Sequence, residues 1–296
     1  MRVFVTGATG WVGSAVVQEL LAMGHEVTGL ARSDKSAAAL ATAGARHILG
    51  SLEDIESLRE GVSEADGVIH TAFNHDWSHF VENCAVDRRA IESIGAMLEG
   101  SNRRFLVSSG VALLAPGRIA TEKDISPPVS ARFPRASEVA VGELTERGVR
   151  AAAVRLAPSV HGLGEHGFVS RLASIAREKG VSGYVGEGLN RWPAVHRLDA
   201  ARVYSLALEA DAAAPFHAIA EADVVLRDIA EAIGYSLDLP TVSLSPDQAA
   251  AHFGWFAQFM AIDAPAASDH TRALLGWTPK HSGLLAELAQ PGYFGA

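Results

Sequence analysis

The chain has 296 residues, enough for one large α/β unit, or for one unit carrying a smaller lobe, with a substantial core. Its 34 acidic and 25 basic residues give a formal net charge of −9, which argues against a nucleic-acid partner, because polyanion binding requires clustered lysine and arginine. Cys84 is the only cysteine, which excludes an internal disulfide, and no run approaches the roughly 18 apolar residues of a membrane span, so we expect a soluble cytoplasmic protein.

The first thirteen residues predict a buried strand over residues 2–6, a glycine-rich turn, and the start of a helix over residues 14–23. Gly7 can supply the tight turn, Gly10 lets backbone N–H groups approach a pyrophosphate, and Gly13 lets the helix pack closely on the strand. The helix N-terminus favours phosphates, because its unpaired N–H groups and its dipole attract an anion. The alternative is a tight turn without a ligand. The predicted dinucleotide contacts are Thr6, Gly7, Thr9, Gly10, Trp11, Val12 and Gly13.

An arginine after the second predicted strand indicates which dinucleotide binds. In such units an acidic residue at the end of the second strand binds the ribose hydroxyls, whereas an arginine accommodates a 2′-phosphate. Here Ala31 stands at that position and Arg32 follows it, which favours NADP (NADPH) over NAD. The alternative for Arg32 is an ordinary solvated charge in a turn. Arg32 and Ser33 are predicted cofactor contacts, and Ser33 or Asp34 caps the next helix.

The third and fourth predicted strands, residues 45–50 and 67–72, bring further groups to the cofactor. In a parallel sheet of this kind, ligands bind beyond the carboxyl ends of the strands. The segment after the third strand should flank the adenine, and the end of the fourth should reach the pyrophosphate and the nicotinamide ribose. The predicted contacts in these segments are Ser51, Leu52, Thr71, Ala72 and Phe73.

Two residues at this edge are candidates for catalysis. His75, beside Asp76, lies in the loop after the fourth strand, and such loops carry chemistry more often than strands do. Ser109 lies near the end of the fifth predicted strand, residues 104–110, where a hydroxyl can hold a substrate carbonyl. Each has a structural alternative. The loop residues could cap the helix predicted over residues 78–99, and serines are common at strand ends.

Five motifs follow one another along nearly the whole chain. They are Thr6-Gly7-x-x-Gly10-x-x-Gly13, residues 105–109, Arg155-Leu156-Ala157-Pro158-Ser159-Val160-His161-Gly162, Val195-His196-Arg197-Leu198-Asp199-Ala200-Ala201 and Leu275-Gly276-Trp277-Thr278-Pro279. The ordered set resembles the extended short-chain dehydrogenase/reductase superfamily, relatives of sugar epimerases and flavonoid reductases. The resemblance implies an α/β fold, a Rossmann-type doubly wound parallel sheet with a smaller C-terminal substrate lobe.

The resemblance also implies how the chain divides. Residues 1–160 would form the NADP-binding Rossmann domain, with residues 190–212 returning to it, and residues 161–296 would form the smaller, mainly helical substrate lobe. The helices over residues 78–99 and 136–147 correspond to those that form a dimer's four-helix bundle, so a homodimer is expected by analogy. The contacts that the third motif adds to the cofactor site are Pro158, Ser159 and Val160.

One part of the superfamily pattern is missing. Its members carry Tyr-x-x-x-Lys, in which the tyrosine exchanges a proton with the substrate oxygen and the lysine lowers the tyrosine pKa and binds the ribose. No tyrosine of this chain has a lysine four residues on, and the matching register holds Pro134 and Glu138. A carboxylate cannot do the work of the lysine. The pattern resembles the atypical branch, which keeps the cofactor loop but lacks the usual catalytic residues.

The leading hypothesis is an NADP-dependent oxidoreductase that moves a hydride to or from a small carbonyl or alcohol substrate. Ser109 would orient the substrate oxygen, and a histidine or water would deliver the proton. Among the histidines, His75 ranks above His161 and His166. Two alternatives stay open. One is a non-catalytic NADP-binding redox sensor, motivated by the missing motif, and the other is an epimerase or isomerase that retains its cofactor.

Two further expectations concern the second half of the chain. No tight group of histidine, cysteine and aspartate indicates a metal site. Trp192 and Tyr184 could wall an apolar substrate, or could seal the interface between the lobes. The helix expected over residues 249–260 is rich in aromatic residues, which suggests burial by another element, a pocket wall or a second subunit.

Overall fold

The computed structural model describes residues 1–131, 133–212 and 214–295. The strands are β1 (Arg2–Thr6), β2 (Glu26–Ala31), β3 (Arg46–Leu49), β4 (Gly67–His70), β5 (Arg104–Gly110), β6 (Arg150–Leu156), β7 (Ser159–His161), β8 (Ser182–Val185), β9 (Arg191–His196), β10 (Phe216–Ala218), β11 (Glu221–Val225) and β12 (Thr241–Leu244).

The helices alternate with the strands in the first half of the chain and dominate the second half. They are α1 (Trp11–Ala22), α2 (Asp34–Ala43), α3 (Ile55–Ser63), α4 (Phe80–Leu98), α5 (Ser137–Glu146), α6 (Phe168–Lys179), α7 (Arg197–Glu209), α8 (Leu226–Leu237), α9 (Pro246–Phe253), α10 (Ala257–Met260), α11 (Asp269–Leu275) and α12 (Leu284–Leu288). Short 3-10 helices at Trp77–His79 and Gly254–Phe256 precede α4 and α10. Within the described ranges, no helix combines the length and the hydropathy needed to cross a bilayer.

The central sheet has seven strands within the described residues, in the order β10-β6-β5-β4-β1-β2-β3. All pairs are parallel, with Val3 of β1 opposite Val27 of β2 and Gly67 of β4. The inner strands are buried and apolar, as is usual when helices cover both faces of a parallel sheet. The winding reverses between β1 and β4, which is where sheets of this kind bind ligands at their carboxyl edge. The predicted Rossmann-type fold is confirmed.

Two apolar cores cover the two faces of this sheet. On one face α1, α2 and α7 pack together, with Leu20 and Tyr204 fully buried. On the other face α3, α4 and α5 pack together, with Leu58, Ile91 and Leu144 fully buried. A third core forms the C-terminal lobe, where α6 and α8 pack against the small sheet of β11, β9 and β7, and α9 packs against the two-stranded sheet of β12 and β8.

Several boundaries differ from those that the sequence predicts. Helix α1 begins at Trp11, three residues before the predicted start, because the last residues of the glycine motif are themselves helical. Strand β4 ends at His70, and the helix expected over residues 249–260 breaks at Gly254, whose φ is +57°. Strand β10 pairs with β6 in the central sheet, although its residues fall in the range expected for the lobe. The homodimer through α4 and α5 and the cytoplasmic location stay predictions.

Candidate functional site

The glycine turn between β1 and α1 forms a cradle that side chains would fill. Gly7 has a φ of +66°, and a Cβ there would lie 2.6 Å from the backbone nitrogen of Ala72. A Cβ on Gly13 would clash with the Gly7 carbonyl oxygen and lie 2.7 Å from Thr71 Oγ1. Gly10 is the extended N-cap of α1, and within the described chain no side chain caps that helix end. The turn therefore fits an anion such as a dinucleotide pyrophosphate.

The residues that follow β4 lie directly beside this turn. Thr71 Oγ1 donates to the Thr6 carbonyl oxygen at 2.8 Å, which joins the ends of β1 and β4. Thr71, Ala72 and Phe73 are half-buried, so each keeps some surface towards the edge of the sheet. The structure thus brings these three predicted contacts to the glycine turn.

Trp11 connects the turn to the segment after β6. Its indole Nε1 donates to the Val160 carbonyl oxygen at 2.7 Å. The Arg197 guanidinium lies over its ring at 4.3 Å, and the ring of His166 meets it edge-on at 5.6 Å. The predicted segment of Pro158, Ser159 and Val160 therefore lies next to the glycine turn, although it is about 150 residues away in sequence.

The predicted adenosine end lies where β2 and β3 finish. The Gly50 N–H donates to the Ala31 carbonyl oxygen at 2.9 Å, which holds the two strand ends together. Arg32 and Ser33 are exposed there, and Ser33 caps α2. An exposed arginine at this position can reach a phosphate at the end of β2. The predicted residues on the β3 side, Ser51 and Leu52, are half-buried.

A buried polar chain starts at the same strand end. Thr6 Oγ1 and His70 Nδ1 are 2.8 Å apart, and His70 Nε2 lies 3.1 Å from Asp87 Oδ1. Ser137 Oγ donates to Asp87 Oδ2 at 2.6 Å, and Arg135 Nε donates to Ser137 Oγ at 3.0 Å. Burial opposes ionisation of Asp87, but the hydrogen bond and charge of His70 hold its pKa below the usual value. This series of hydrogen bonds thus links β1 to Arg135 through the ionised carboxylate of Asp87.

Arg135 lies over the ends of β4 and β5. Its Nη2 donates to the Ser108 carbonyl oxygen at 3.2 Å, and its guanidinium lies 4.3 Å from the centre of the Phe73 ring. Because Phe73 follows the residues that touch the glycine turn, Arg135 stands at the edge where a substrate would meet the cofactor.

Aromatic side chains connect this edge to the C-terminal lobe. We call them the Trp77 cluster, and its members are Trp77, Phe80, Phe168, Trp255 and Phe259. The Trp77 ring stacks on Phe80 with centroids 4.8 Å apart and lies 5.4 Å from Phe259 and 5.5 Å from Trp255. Trp255 is 47% exposed and the others are partly exposed, so the cluster presents an apolar surface rather than a sealed core.

The two predicted catalytic residues sit in different surroundings. His75 is in the loop before the 3-10 helix, and its ring meets Phe73 edge-on at 5.0 Å. Desolvation and the charge of Arg135 lower its pKa, which keeps the ring mostly neutral at neutral pH. Ser109 Oγ donates to Glu138 Oε1 at 2.7 Å, so its lone pairs rather than its hydrogen are available to a ligand.

The sequence matches one protein family over residues 3–219, the NAD dependent epimerase/dehydratase family. The chain belongs to this family. An uncharacterized protein of Schizosaccharomyces pombe is 46% identical over 99% of this chain and 100% of its own length. An uncharacterized protein of Saccharomyces cerevisiae is 42% identical over 97% of this chain and 98% of its own length.

Solved structures show the same fold. The structure of a UDP-glucuronic acid 4-epimerase from Bacillus cereus, in complex with UDP-glucuronic acid and NAD, superposes with a TM-score of 0.75. It covers 99% of this chain and 98% of its own, at 16% sequence identity. At that identity the likeness establishes the fold and leaves the chemistry to this chain's own residues.

The residue that the resemblance aligns with the superfamily lysine is one half of a buried ion pair. Glu138, in the lysine register, accepts from Arg155 Nη2 at 2.6 Å and from Arg155 Nε at 3.0 and 3.1 Å. Arg155 is 3% exposed, and its Nη1 lies 3.2 Å from His217 Nε2. Burial lowers the pKa of His217, and its Nδ1 donates to the Ala267 carbonyl oxygen, so its Nε2 can accept from Arg155.

The other two histidine candidates differ in accessibility. His161 is fully buried, with Nδ1 2.8 Å from Glu287 Oε2, and burial lowers its pKa to about 4. His166 is exposed, and its ring contacts that of Trp11.

Of the two predicted aromatic wall residues, Trp192 is 2% exposed inside the lobe core and Tyr184 is half-buried on β8. Tyr184 lies outside the Trp77 cluster, whereas the Trp192 ring packs against its member Phe168, with centroids 5.7 Å apart.

His196, Asp199 and His281 place ligand atoms within 4.8 Å of one another, a grouping that the sequence spacing did not indicate. Their atoms are already engaged in holding the chain. The Leu198 N–H donates to His196 Nδ1, and the N–H groups of Lys280 and His281 donate to the two oxygens of Asp199. A metal-binding histidine normally donates a hydrogen bond through its second nitrogen, whereas His196 accepts one there. The group is better suited to anchoring α7.

Arg135 and Asp87 are absent from the residues that the sequence predicts for the site. The sequence could have indicated Asp87, because it falls on the apolar stripe of α4 with Cys84 and Ile91. A charged residue on a buried face needs a buried partner. No sequence pattern indicates Arg135, because it is one arginine in a polar segment and the residues that it contacts in the fold include ones distant in sequence.

Proposed function

We propose that the chain is an NADP-dependent oxidoreductase of the atypical short-chain dehydrogenase type. It transfers a hydride to or from a small carbonyl or alcohol substrate. The observation that carries the proposal is the cradle of Gly7 and Gly13 against Thr71 and Ala72, which leaves room for backbone and phosphate but not for a side chain. Membership of the NAD dependent epimerase/dehydratase family supports the same cofactor class.

The residues around the cradle fit each part of the cofactor. The uncapped first turn of α1 would hold the pyrophosphate, and Ser51 and Leu52 would flank the adenine. Exposed Arg32 would pair with a 2′-phosphate, which supports NADP over NAD. When bound, such a cofactor supplies the hydride donor or acceptor. The contacts on the nicotinamide side would be Thr71, Ala72, Phe73, Pro158, Ser159 and Val160.

The substrate would lie between the carboxyl edge and the Trp77 cluster. The exposed aromatic surface favours an apolar body, and the polar groups nearby favour a carbonyl or alcohol oxygen. Ser109 would hold the substrate through its lone pairs, which suits the hydroxyl of an alcohol. His75 would exchange the proton with solvent, since its ring is mostly neutral and partly exposed.

Cofactor binding and turnover test the proposal separately. NADPH and NADH affinities are measured by titration of the whole protein, and NADPH oxidation is followed over a panel of aldehydes and ketones. Arg32→Ala should weaken NADPH binding by about 10-fold and leave NADH unchanged, because a charged hydrogen bond contributes about 1.5 kcal/mol or more. Lys35→Ala, an exposed cation in the next helix, is the matched control.

Two outcomes would overturn the proposal. Tight NADPH binding with no turnover over the whole panel would instead favour a redox sensor. A nicotinamide cofactor that stays bound through purification, and is not consumed, would favour an epimerase that retains it. The structural neighbour crystallised with UDP-glucuronic acid and NAD is a 4-epimerase by name.

A further inference from the structure

Arg135 is a half-buried cation held by neutral partners. Its Nε donates to the Ser137 hydroxyl and its Nη2 to the Ser108 carbonyl oxygen, and one face of the guanidinium lies on the Phe73 ring. Among the described residues no carboxylate lies within ion-pair distance of it; the nearest link to one runs through Ser137 to Asp87. This is unusual, because a guanidinium taken partly out of water usually acquires a carboxylate partner.

The guanidinium has unused donors. An arginine carries five N–H groups. Two of them are accounted for by Ser137 and Ser108, so the two on Nη1 and one on Nη2 have no acceptor in the described part of the chain. An oxygen that carries negative charge is the ligand that such a fork of donors recognises.

The position of Arg135 matches that of a substrate oxygen. Ser108 lies near the end of β5, and Phe73 follows Ala72, which touches the glycine turn. The Phe73 ring also meets Phe80 of the Trp77 cluster, with centroids 5.9 Å apart. Arg135 therefore stands between the cofactor cradle and the apolar surface, at the junction that a bound carbonyl compound would occupy.

The guanidinium is also fixed in advance. Ser137 is buried at the first residue of α5, and its hydroxyl is held by Asp87, which His70 holds in turn. A donor that is already oriented stabilises developing charge without reorganisation. The positive charge acts on its surroundings, since it contributes to lowering the pKa values of His75 and Asp87.

We propose that Arg135 is a catalytic residue that binds the substrate oxygen and stabilises the negative charge it acquires. This inference rests on the proposed function. In the reducing direction the carbonyl carbon would receive the hydride that the reduced cofactor supplies when bound, and the carbon–oxygen π pair would move to the oxygen. A proton that His75 exchanges with solvent would then convert the alkoxide to the alcohol. Arg135 stays protonated throughout. It supplies the positive charge that Glu138 cannot supply from the lysine register.

Binding of a carboxylate probe tests this role without turnover. Benzoate resembles the polarised oxygen of a reacting carbonyl, and its affinity for the NADP-saturated protein is measured by calorimetry at fixed ionic strength. Arg135→Gln should weaken benzoate binding by about 10- to 100-fold, while NADPH affinity changes by less than about threefold. The benzoate affinity of Arg135→Lys should lie between those of the wild type and Arg135→Gln, because lysine keeps the positive charge but lacks the planar pair of guanidinium donors.

Arg118→Gln is the matched control. Arg118 is an exposed arginine of the same segment that pairs with Asp124, and its replacement should leave benzoate binding unchanged. Guanidinium ion added to Arg135→Ala should restore part of the benzoate affinity and of kcat, which a purely structural role would not produce. The circular dichroism spectrum of each variant verifies that it is folded.

The outcomes separate the two proposals. Wild-type protein that binds no NADP or NADPH contradicts the proposed function itself. Wild-type protein that binds NADPH but no benzoate, or Arg135→Gln that binds benzoate like the wild type, overturns the role of Arg135 alone. A loss of NADPH affinity in Arg135→Gln with benzoate binding retained would also overturn it, because Arg135 would then hold the cofactor ribose.

Discussion

Glu138 and Arg155 form a bidentate ion pair beneath the carboxyl edge of the sheet, with Arg155 Nη2 2.6 Å from Glu138 Oε2. The pair occupies the register in which the superfamily places its lysine. Arg155 belongs to β6 and Glu138 to α5, so the pair also fastens this helix to the sheet. A lysine at residue 138 would meet the buried Arg155 guanidinium in place of its carboxylate partner.

Restoring the lysine should therefore destabilise the protein. In Glu138→Lys the Arg155 guanidinium, 3% exposed, loses its partner and faces a like charge, and breaking a buried pair in this way costs about 3–5 kcal/mol. The measurement is the free energy of unfolding in urea. Glu143→Lys makes the same charge change on the solvent side of α5, where it should cost about 1 kcal/mol or less. Equal stabilities for the two variants would show that the Glu138–Arg155 pair contributes little.

The local part of the site could be predicted from the sequence because its signals lie within a few residues. The three glycines, the apolar strand before them and Arg32 after β2 are contiguous patterns, and the structure brings Thr71 to the same turn. The sequence pattern places the start of α1 three residues late, because Gly13 lowers the apparent helix propensity, although the close packing of this helix requires a glycine.

The substrate side depends on contacts between distant residues. Trp77 follows β4, whereas Trp255 and Phe259 come from the C-terminal lobe, and their rings meet only in the fold. Asp87 and Ser137 are 50 residues apart, and a single chain carries no periodic signal for such a pair. The sequence therefore predicts the cofactor side better than the substrate side.

Gly13→Ala should weaken cofactor binding through a clash at the turn. The added Cβ would press on the Gly7 carbonyl oxygen and lie 2.7 Å from Thr71 Oγ1, so the strand end and α1 would have to separate. We expect NADPH affinity to fall by at least about 10-fold and the protein to lose about 1–3 kcal/mol of stability. Gly142→Ala in α5 is the control, since its Cβ meets no atom of the described residues within 4 Å. That change should raise stability by up to about 1 kcal/mol. Normal NADPH binding by Gly13→Ala would mean that the turn can shift to accommodate the added methyl group without losing the cofactor site.

Ionisation of Glu165 should lower the free energy of unfolding as the pH rises from weakly acid to neutral. This carboxyl lies in the loop after β7, where burial, and secondarily the charge of Glu287, raise its pKa to about 7. Because the folded state holds the proton more tightly than the unfolded state, its stabilising effect is complete below the ordinary value of about 4.5. The effect is lost as the pH rises through about 7.

Glu165→Gln removes this dependence. At pH 8 the variant should be more stable than the wild type by about 1–3 kcal/mol, and at pH 4.5 the two should be nearly equal. Urea unfolding at pH 4.5, 6 and 8 measures the difference, and Glu146→Gln on the exposed face of α5 provides the control with no such trend. A difference between wild type and Glu165→Gln that stays constant from pH 4.5 to pH 8 would show that the carboxyl titrates in the fold as it does in the unfolded chain.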